Sequence, residues 1–279
     1  MGLERDTLAL LQRAAARRTP PRVRALHLPP APPEESPGGA WCALELDDGA
    51  LGLGYVRGGN TLDALHAHVA SAAGADVLVL AEGFAAAPDV AGGARRALGF
   101  AATHALSNWL LRAAGWAPPV ADDSVGGLDP QPGEKIGMIG LFGSLVPRLV
   151  ARGARLVVVE LRAELHGERD GARVTGDAAE LADCTQVLAT GTLVLNGSFE
   201  RMRAACPAAR RFVLVGPSAG LLPDALFARG VSALGGTWIV EPAAFLERLV
   251  CGQPRGAAAR KFMLAATAYP GAPALIERL

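Results

Sequence analysis

A bias of charge is missing from this sequence: Lys plus Arg and Asp plus Glu number 27 each in 279 residues. Without a net field there is no general pull towards phosphate backbones or anionic bilayers, so neither nucleic acid nor a membrane surface is an expected partner. Also missing is any window of roughly 18 uncharged apolar residues, the length a membrane-spanning helix needs. The start, MGLERDTLALLQRAAARRTPP, breaks its apolar positions with charges and lacks the hydrophobic segment and small-residue cleavage site of a secretory signal, so a cytoplasmic protein is expected. Cysteine is scarce and scattered. Cys42, Cys184, Cys206 and Cys251 show no Cys-x-x-Cys spacing, which argues against a disulfide framework and a zinc knuckle and leaves four thiols expected as small buried hydrophobes. Histidine is thin as well: His27, His104 and His166 are single, and His66 and His68 lie two apart on an expected helix, facing different ways. Neither a Ser-His-Asp order near a nucleophile elbow nor an obvious carboxylate pair is recognisable.

What is present is apolar material, 51% of the chain, enough for a large core in one large or two modest domains. That content exceeds what one chain of this length must bury, which leaves room for a homo-oligomer. Leu3 to Arg18 has helical spacing and stops at Thr19-Pro20-Pro21, where ring constraint ends a helix. Val23 to Leu28 is strand-like, and PPAPPEESPGG after it reads as a surface loop. Trp41 to Val56 alternates around Asp47-Asp48-Gly49, which predicts a hairpin. Leu62 to Ala73 and Ala94 to Ala114 have helical periodicity, and DVLVLAE from Asp76 reads as a short strand or an apolar link. DDSVGGLDPQPG, Asp122 to Gly133, has the composition of an interdomain linker. The expected division is therefore a smaller α+β domain over 1–121, a linker over 122–133 and a second domain over 134–279.

Beyond the linker, short β-branched runs alternate with helical stretches: Lys135 to Ile139, Arg155 to Glu160, Gln186 to Ala189, Arg211 to Val215, Val231 to Ala233 and Thr237 to Val240. Runs such as RLVVVE and RFVLVG are continuously apolar, as strands covered on both faces must be, so the fold class expected is α/β with a mostly parallel sheet. Pro242 and Gly252 bracket EPAAFLERLVCG as a helix.

Three turns at strand ends carry the functional signal. In KIGMIGLFGSLVPRL, Gly137, Gly140 and Gly143 surround Phe142 where a strand gives way to a helix, the place where free amides and the helix dipole favour an electron-rich ligand. The spacing is G-x-x-G-x-x-G, one residue off the dinucleotide pattern, and Glu160 follows about 20 residues on, where an acid would hold a ribose hydroxyl. The alternative is that these glycines only permit close packing and that Glu160 is a solvated strand end. LATGTLVLNGSFE places Thr190, Gly191 and Thr192 at the next strand end, then Asn196 in a turn and Ser198 as an expected cap of a helix over Phe199 to Ala205. VLVGPSAGLLPDALFARGV repeats the device with Gly216, Pro217 and Ser218, followed by a short helix over Pro223 to Ala228. Hydroxyls and one amide orient polar ligands well and serve acid–base chemistry poorly; their other reading is as turn and cap hydrogen bonds. Glu160, Glu164, His166 and Asp177 offer mixed oxygen and nitrogen ligands for a borderline divalent ion if their loop folds back.

GEKIGMIGLFGSLVPRL, LATGTLVLNGSFE and VLVGPSAGLLPDALFARGVSALGG resemble, in order and spacing, the three signature blocks of the putative heavy-metal chelation family of bacteria and archaea. The resemblance spans nearly the whole chain; Gly143 and Ser198, in place of the commoner Thr, are small variations. It implies a Rossmann-like second domain behind an enolase-N-terminal-like first domain, and metal handling as the function, but supplies no catalytic motif that transfers by residue. Besides a purely structural role through oligomerisation, two functions are therefore expected. One is binding or chelation of a small polar ligand or metal complex in the interdomain cleft, with Thr190, Thr192, Asn196 and Ser218 orienting it and Glu160 or His166 touching metal. The other is an enzyme with a nucleotide-type cofactor on the glycine loop, in small-metabolite or metallophore biosynthesis.

Overall fold

The computed structural model describes residues 2–31, 40–56, 61–87, 93–121 and 127–279. Most of the proline-rich loop (32–39) and the first residues of the expected linker (122–126) lie outside the described residues. The chain opens with α1 (Leu3–Arg17) and a three-stranded antiparallel sheet of β1 (Val23–His27), β2 (Trp41–Leu46) and β3 (Leu51–Tyr55). The expected helix over Leu62 to Ala73 divides into α2 (Thr61–His66) and α3 (Val69–Ala72), with His68 at the junction.

DVLVLAE is neither strand nor link but α4 (Val77–Ala81). Asp76 decides it locally, because its Oδ1 accepts from the Leu78 amide at 2.9 Å and so caps a first turn that the apolar run alone leaves ambiguous. Next comes α5 (Gly93–Ala113), buried around nearly its whole circumference. Small residues make that possible. A Cβ on Gly52 would stand 2.0 Å from the Ala101 carbonyl oxygen, so β3 lies directly on the helix backbone at Ala101 and Ala105.

The second half builds an eight-stranded sheet. In chain order its elements are β4 (Lys135–Ile139), α6 (Val146–Val150), β5 (Arg155–Val159), β6 (Gly167–Arg169), β7 (Ala172–Thr175), β8 (Gln186–Thr190), α7 (Thr192–Leu195), α8 (Phe199–Ala204), β9 (Arg211–Val215), α9 (Asp224–Phe227), β10 (Ala233–Ile239), α10 (Pro242–Val250), β11 (Ala259–Ala265) and α11 (Ala272–Ile276). Spatial order is β11-β10-β9-β8-β4-β5-β7-β6, parallel except at β6 and β11 on the two edges. Where two strands are expected, over Val231 to Ala233 and Thr237 to Val240, one continuous β10 runs through Gly235 and Gly236, held by pairing to β9 and β11. The chain leaves β4 towards β5 but later returns to β8 on the opposite side of β4, which puts the topological switch between β4 and β8.

The faces are covered unequally. On one face α7, α8 and α9 join α5 and the first half of the chain in a single apolar cluster. On the other, α6 is the one α-helix among the described residues contributing to the cluster, and it packs on β5. Among the described residues no helix is long and apolar enough to cross a membrane. Cys42, Cys184 and Cys206 are buried as expected, but Cys251 is exposed, because it follows α10 on the solvent side.

Candidate functional site

Gly140 follows β4 with φ +81°, and its amide extends the sheet ladder by one bond to the Val159 carbonyl at 2.9 Å. Leu141 then turns its amide onto Glu160 Oε2 at 3.0 Å, and the Phe142 carbonyl accepts from Leu145 as the chain enters α6. Glu160, at the end of β5 with a side chain only 11% exposed, thus ties down the glycine loop itself. Burial raises its pKa, but the amides of Leu141 and Arg162 and the Arg162 guanidinium together outweigh burial and hold the carboxyl below its ordinary value.

At the end of β8, Thr190 and Thr192 join their hydroxyls at 3.0 Å, and the Thr192 amide donates to Thr190 Oγ1 at 3.3 Å. Asn196 Oδ1 accepts from both the amide (3.0 Å) and the hydroxyl (2.5 Å) of Ser198. Ser198 therefore does not cap α8 with its side chain as expected, because the stronger local partner is the Asn196 carbonyl. Beyond β9, Gly216 takes φ +121°, a value closed to residues with a side chain, and bonds back to Gly235 at 2.8 Å before a tight turn over Pro217–Ala219.

The three turns lie edge to edge, as adjacent parallel strands dictate. A Cβ on Gly140 would be 3.2 Å from Thr190 Cγ2, and one on Gly191 would be 3.1 Å from the Ser218 carbonyl carbon. Their side chains share no single hollow, however. Ser218 is 1% exposed. Gly137 lies within β4, facing Leu181. A cleft of about 220 Å³ lies between the β4 turn and the sheet face that α6 leaves bare. Phe142 and Ser144 form one wall, Gly216 and Pro217 the rim, and Thr237 and Met263 part of the floor. Gly143 stands exposed between the two wall residues. Of the residues predicted from sequence, Phe142, Gly216 and Pro217 line it, whereas Glu160, Thr190, Gly191, Thr192, Asn196 and Ser218 support the turns around it.

All lining residues come from 142–263, so the cleft faces the strand ends without a wall from the first half of the chain among the described residues. Between the halves lie a void of about 20 Å³ beside Asn108, Gly220 and Trp238, room for a single water, and a more open hollow of about 390 Å³ beside Glu4, Arg96 and Gly197. Sequence reasoning missed Ser144, Thr237, Arg255, Lys261 and Met263. The usable signal was the partly alternating ARKFMLA, the edge strand β11 that carries Lys261 and Met263.

A bare metal ion fits poorly at the residues predicted for it. His166 Nε2 lies 2.9 Å from the backbone carbonyl of Glu160, while the carboxylate faces two amides and the Arg162 guanidinium. Asp177 caps a turn at Ala179. Among the described residues no group of three or more His, Cys, Asp or Glu side chains is placed to hold a metal.

The family model described as "Putative heavy-metal chelation" (DUF364) matches residues 125–267. The fold is similar to that of a DUF364 protein of unknown function from Pyrococcus horikoshii, at 19% identity and a TM-score of 0.67 over 95% of this chain and 100% of that one. A second DUF364 protein of unknown function, from Desulfitobacterium hafniense DCB-2, aligns at 20% identity and a TM-score of 0.66 over 95% of this chain and 98% of the other. No curated protein matches the chain.

Proposed function

The chain belongs to the DUF364 family, described as "Putative heavy-metal chelation", and from that premise we propose that it binds a small polar ligand, or a metal already held in a small-molecule complex, in the cleft between the β4 turn and the face of β9–β11. The observation that carries the reading is the cleft itself, walled by Phe142 and Ser144 and rimmed by Gly216 and Pro217 beside the switch in strand order. Open α/β sheets hold ligands at the carboxyl ends of their strands near such a switch. The Thr190, Thr192 and Asn196 turns serve it by fixing the neighbouring strand ends, and their mutual hydrogen bonds support a positioning role. A nucleotide cofactor on the glycine loop is the competing reading. Against it, the Glu160 carboxylate already accepts from the Leu141 and Arg162 amides and faces the Arg162 guanidinium.

Thermal unfolding in the presence of NAD, S-adenosylmethionine, citrate, zinc chloride and zinc citrate tests this. A compound at about 100 times its dissociation constant stabilises the fold by roughly 2.7 kcal/mol, a readable shift. Ser144→Trp, at an exposed position, should fill the cleft and abolish the shift without lowering the basal melting temperature. A shift that persists undiminished in Ser144→Trp places the ligand elsewhere and refutes the reading. A shift with NAD that vanishes in Glu160→Ala selects the nucleotide enzyme.

A further inference from the structure

Two side-chain cations, Arg255 and Lys261, line the cleft, and among the described residues no carboxylate lines it. Some part-buried arginines, such as Arg260 on the Pro118 carbonyl, donate only to backbone, while Arg96 pairs with Glu4, and Arg229 with Asp6 and Glu200. Arg255 has no such partner among the described residues. One Nη1–H donates to Thr237 Oγ1 at 2.6 Å, which fixes the guanidinium, and the remaining donors have no acceptor among those residues. The group is half-buried, and burial alone pulls its pKa below the ordinary arginine value. An arginine keeps its proton in such a place, so the free protein carries an uncompensated, partly desolvated charge. Lys261 is the cross-strand neighbour of Thr237 on β11, which sets the second cation beside the first.

Building on the cleft reading above, we infer that the cleft recognises an oxyanion, a carboxylate or phosphate on a small molecule, through Arg255 and Lys261, and admits a metal only as part of such an anionic complex. The planar fork of a guanidinium matches the paired oxygens of either group, and Thr237 holds that fork in place. A bare divalent cation meets two positive charges there and, among the described residues, no anionic ligand.

Labelling the methionine methyl groups with carbon-13 provides reporters on both sheet faces, because Met263 lines the cleft and Met202 packs on the opposite face. Inorganic phosphate and citrate should each move the Met263 resonance and leave Met202 in place, with an affinity that falls as sodium chloride is raised. Arg255→Gln should weaken citrate at least tenfold, and Lys261→Gln, at an exposed position, should weaken it severalfold. In equilibrium dialysis, zinc should be retained with citrate and not without it. If zinc alone or adenosine moves Met263 while phosphate and citrate do not, the oxyanion assignment is overturned and the cleft reading stands. If no probe moves Met263 in the folded protein, both fall.

Discussion

Arg96 Nε donates to the Leu195 carbonyl at 2.5 Å, joining α5 to the last turn of the helix that follows the Thr190–Thr192 turn. The rest of the guanidinium reaches Val194 at 2.9 Å, Phe84 at 2.6 Å, Ala86 at 2.8 Å and the Glu4 carboxylate at 2.7 Å. All five N–H donors of this buried side chain are thus occupied, four by backbone carbonyls of otherwise separate segments.

Arg96→Met should therefore destabilise the protein by about 3–5 kcal/mol, because it leaves Glu4 without its partner and four carbonyls unsatisfied. Arg96→Lys should recover only part of the loss, since an ammonium has three donors and no fork. Urea unfolding of the two variants measures both.

His104 is buried on α5, and its Nδ1 lies 3.0 Å from the Leu53 amide nitrogen. Burial pushes its pKa from 6.5 down to about 4, against a smaller opposing effect of the Leu53 backbone. The unfolded chain then binds more protons than the folded one between these values, so stability should be full above about pH 6.5 and fall as pH drops towards 4, by about 1.4 kcal/mol per pH unit. A His104→Asn variant should lose that slope, and urea unfolding across the window shows whether it does.

Gly220 packs on the same ring. A Cβ there would lie 2.0 Å from His104 Nε2, so Gly220→Ala should cost about 1–3 kcal/mol through forced displacement of a buried side chain. Its melting temperature is the measurement, and an unchanged value would show that the ring can move freely.

Glu160→Ala should release the Leu141 amide and cost about 1–2 kcal/mol. Because the folded carboxyl titrates below its ordinary value, its stabilisation is present above that value and is lost as pH falls through the lowered one. The variant's stability should accordingly depend less steeply on acid pH, with faster hydrogen exchange at Leu141.

Thiol labelling of the native protein should modify Cys251 quickly and the other three cysteines only on unfolding. Burial pushes Cys42 and Cys206 up to about 12 and Cys184 up to about 11, which removes the reactive thiolate at neutral pH. Counting labels by mass before and after denaturant gives the answer.

The strands at the centre of the large sheet were legible because burial on both faces writes itself as unbroken β-branched runs, as in RLVVV and RFVLV. The hairpin of β2 and β3 was legible from its Asp-Gly turn, and α5 from its length. Other elements were not: the β6–β7 hairpin stands where a loop beyond β5 is expected, α11 carried no expectation, and β10 reads as two strands. A five-residue apolar run such as α4 fits helix and strand alike, and β11 owes its existence to register with β10, a partner some 25 residues away that local pattern does not name. The candidate site divides the same way. Phe142, Gly216 and Pro217 could be found because turns at strand ends have a composition of their own.

By itself the sequence determined where the chain must turn and which segments must be buried, since backbone freedom at Gly140 and Gly216 and the continuity of apolar runs are local properties. Only the tertiary structure decided that Glu160 holds its own loop, that Ser218 is sealed, and that Arg255 meets no acid among the described residues beside a bare stretch of sheet. Those outcomes depend on which distant segments arrive at the same place. A side chain's chemistry is set by the neighbours it is packed against, and most of these neighbours lie far away along the chain.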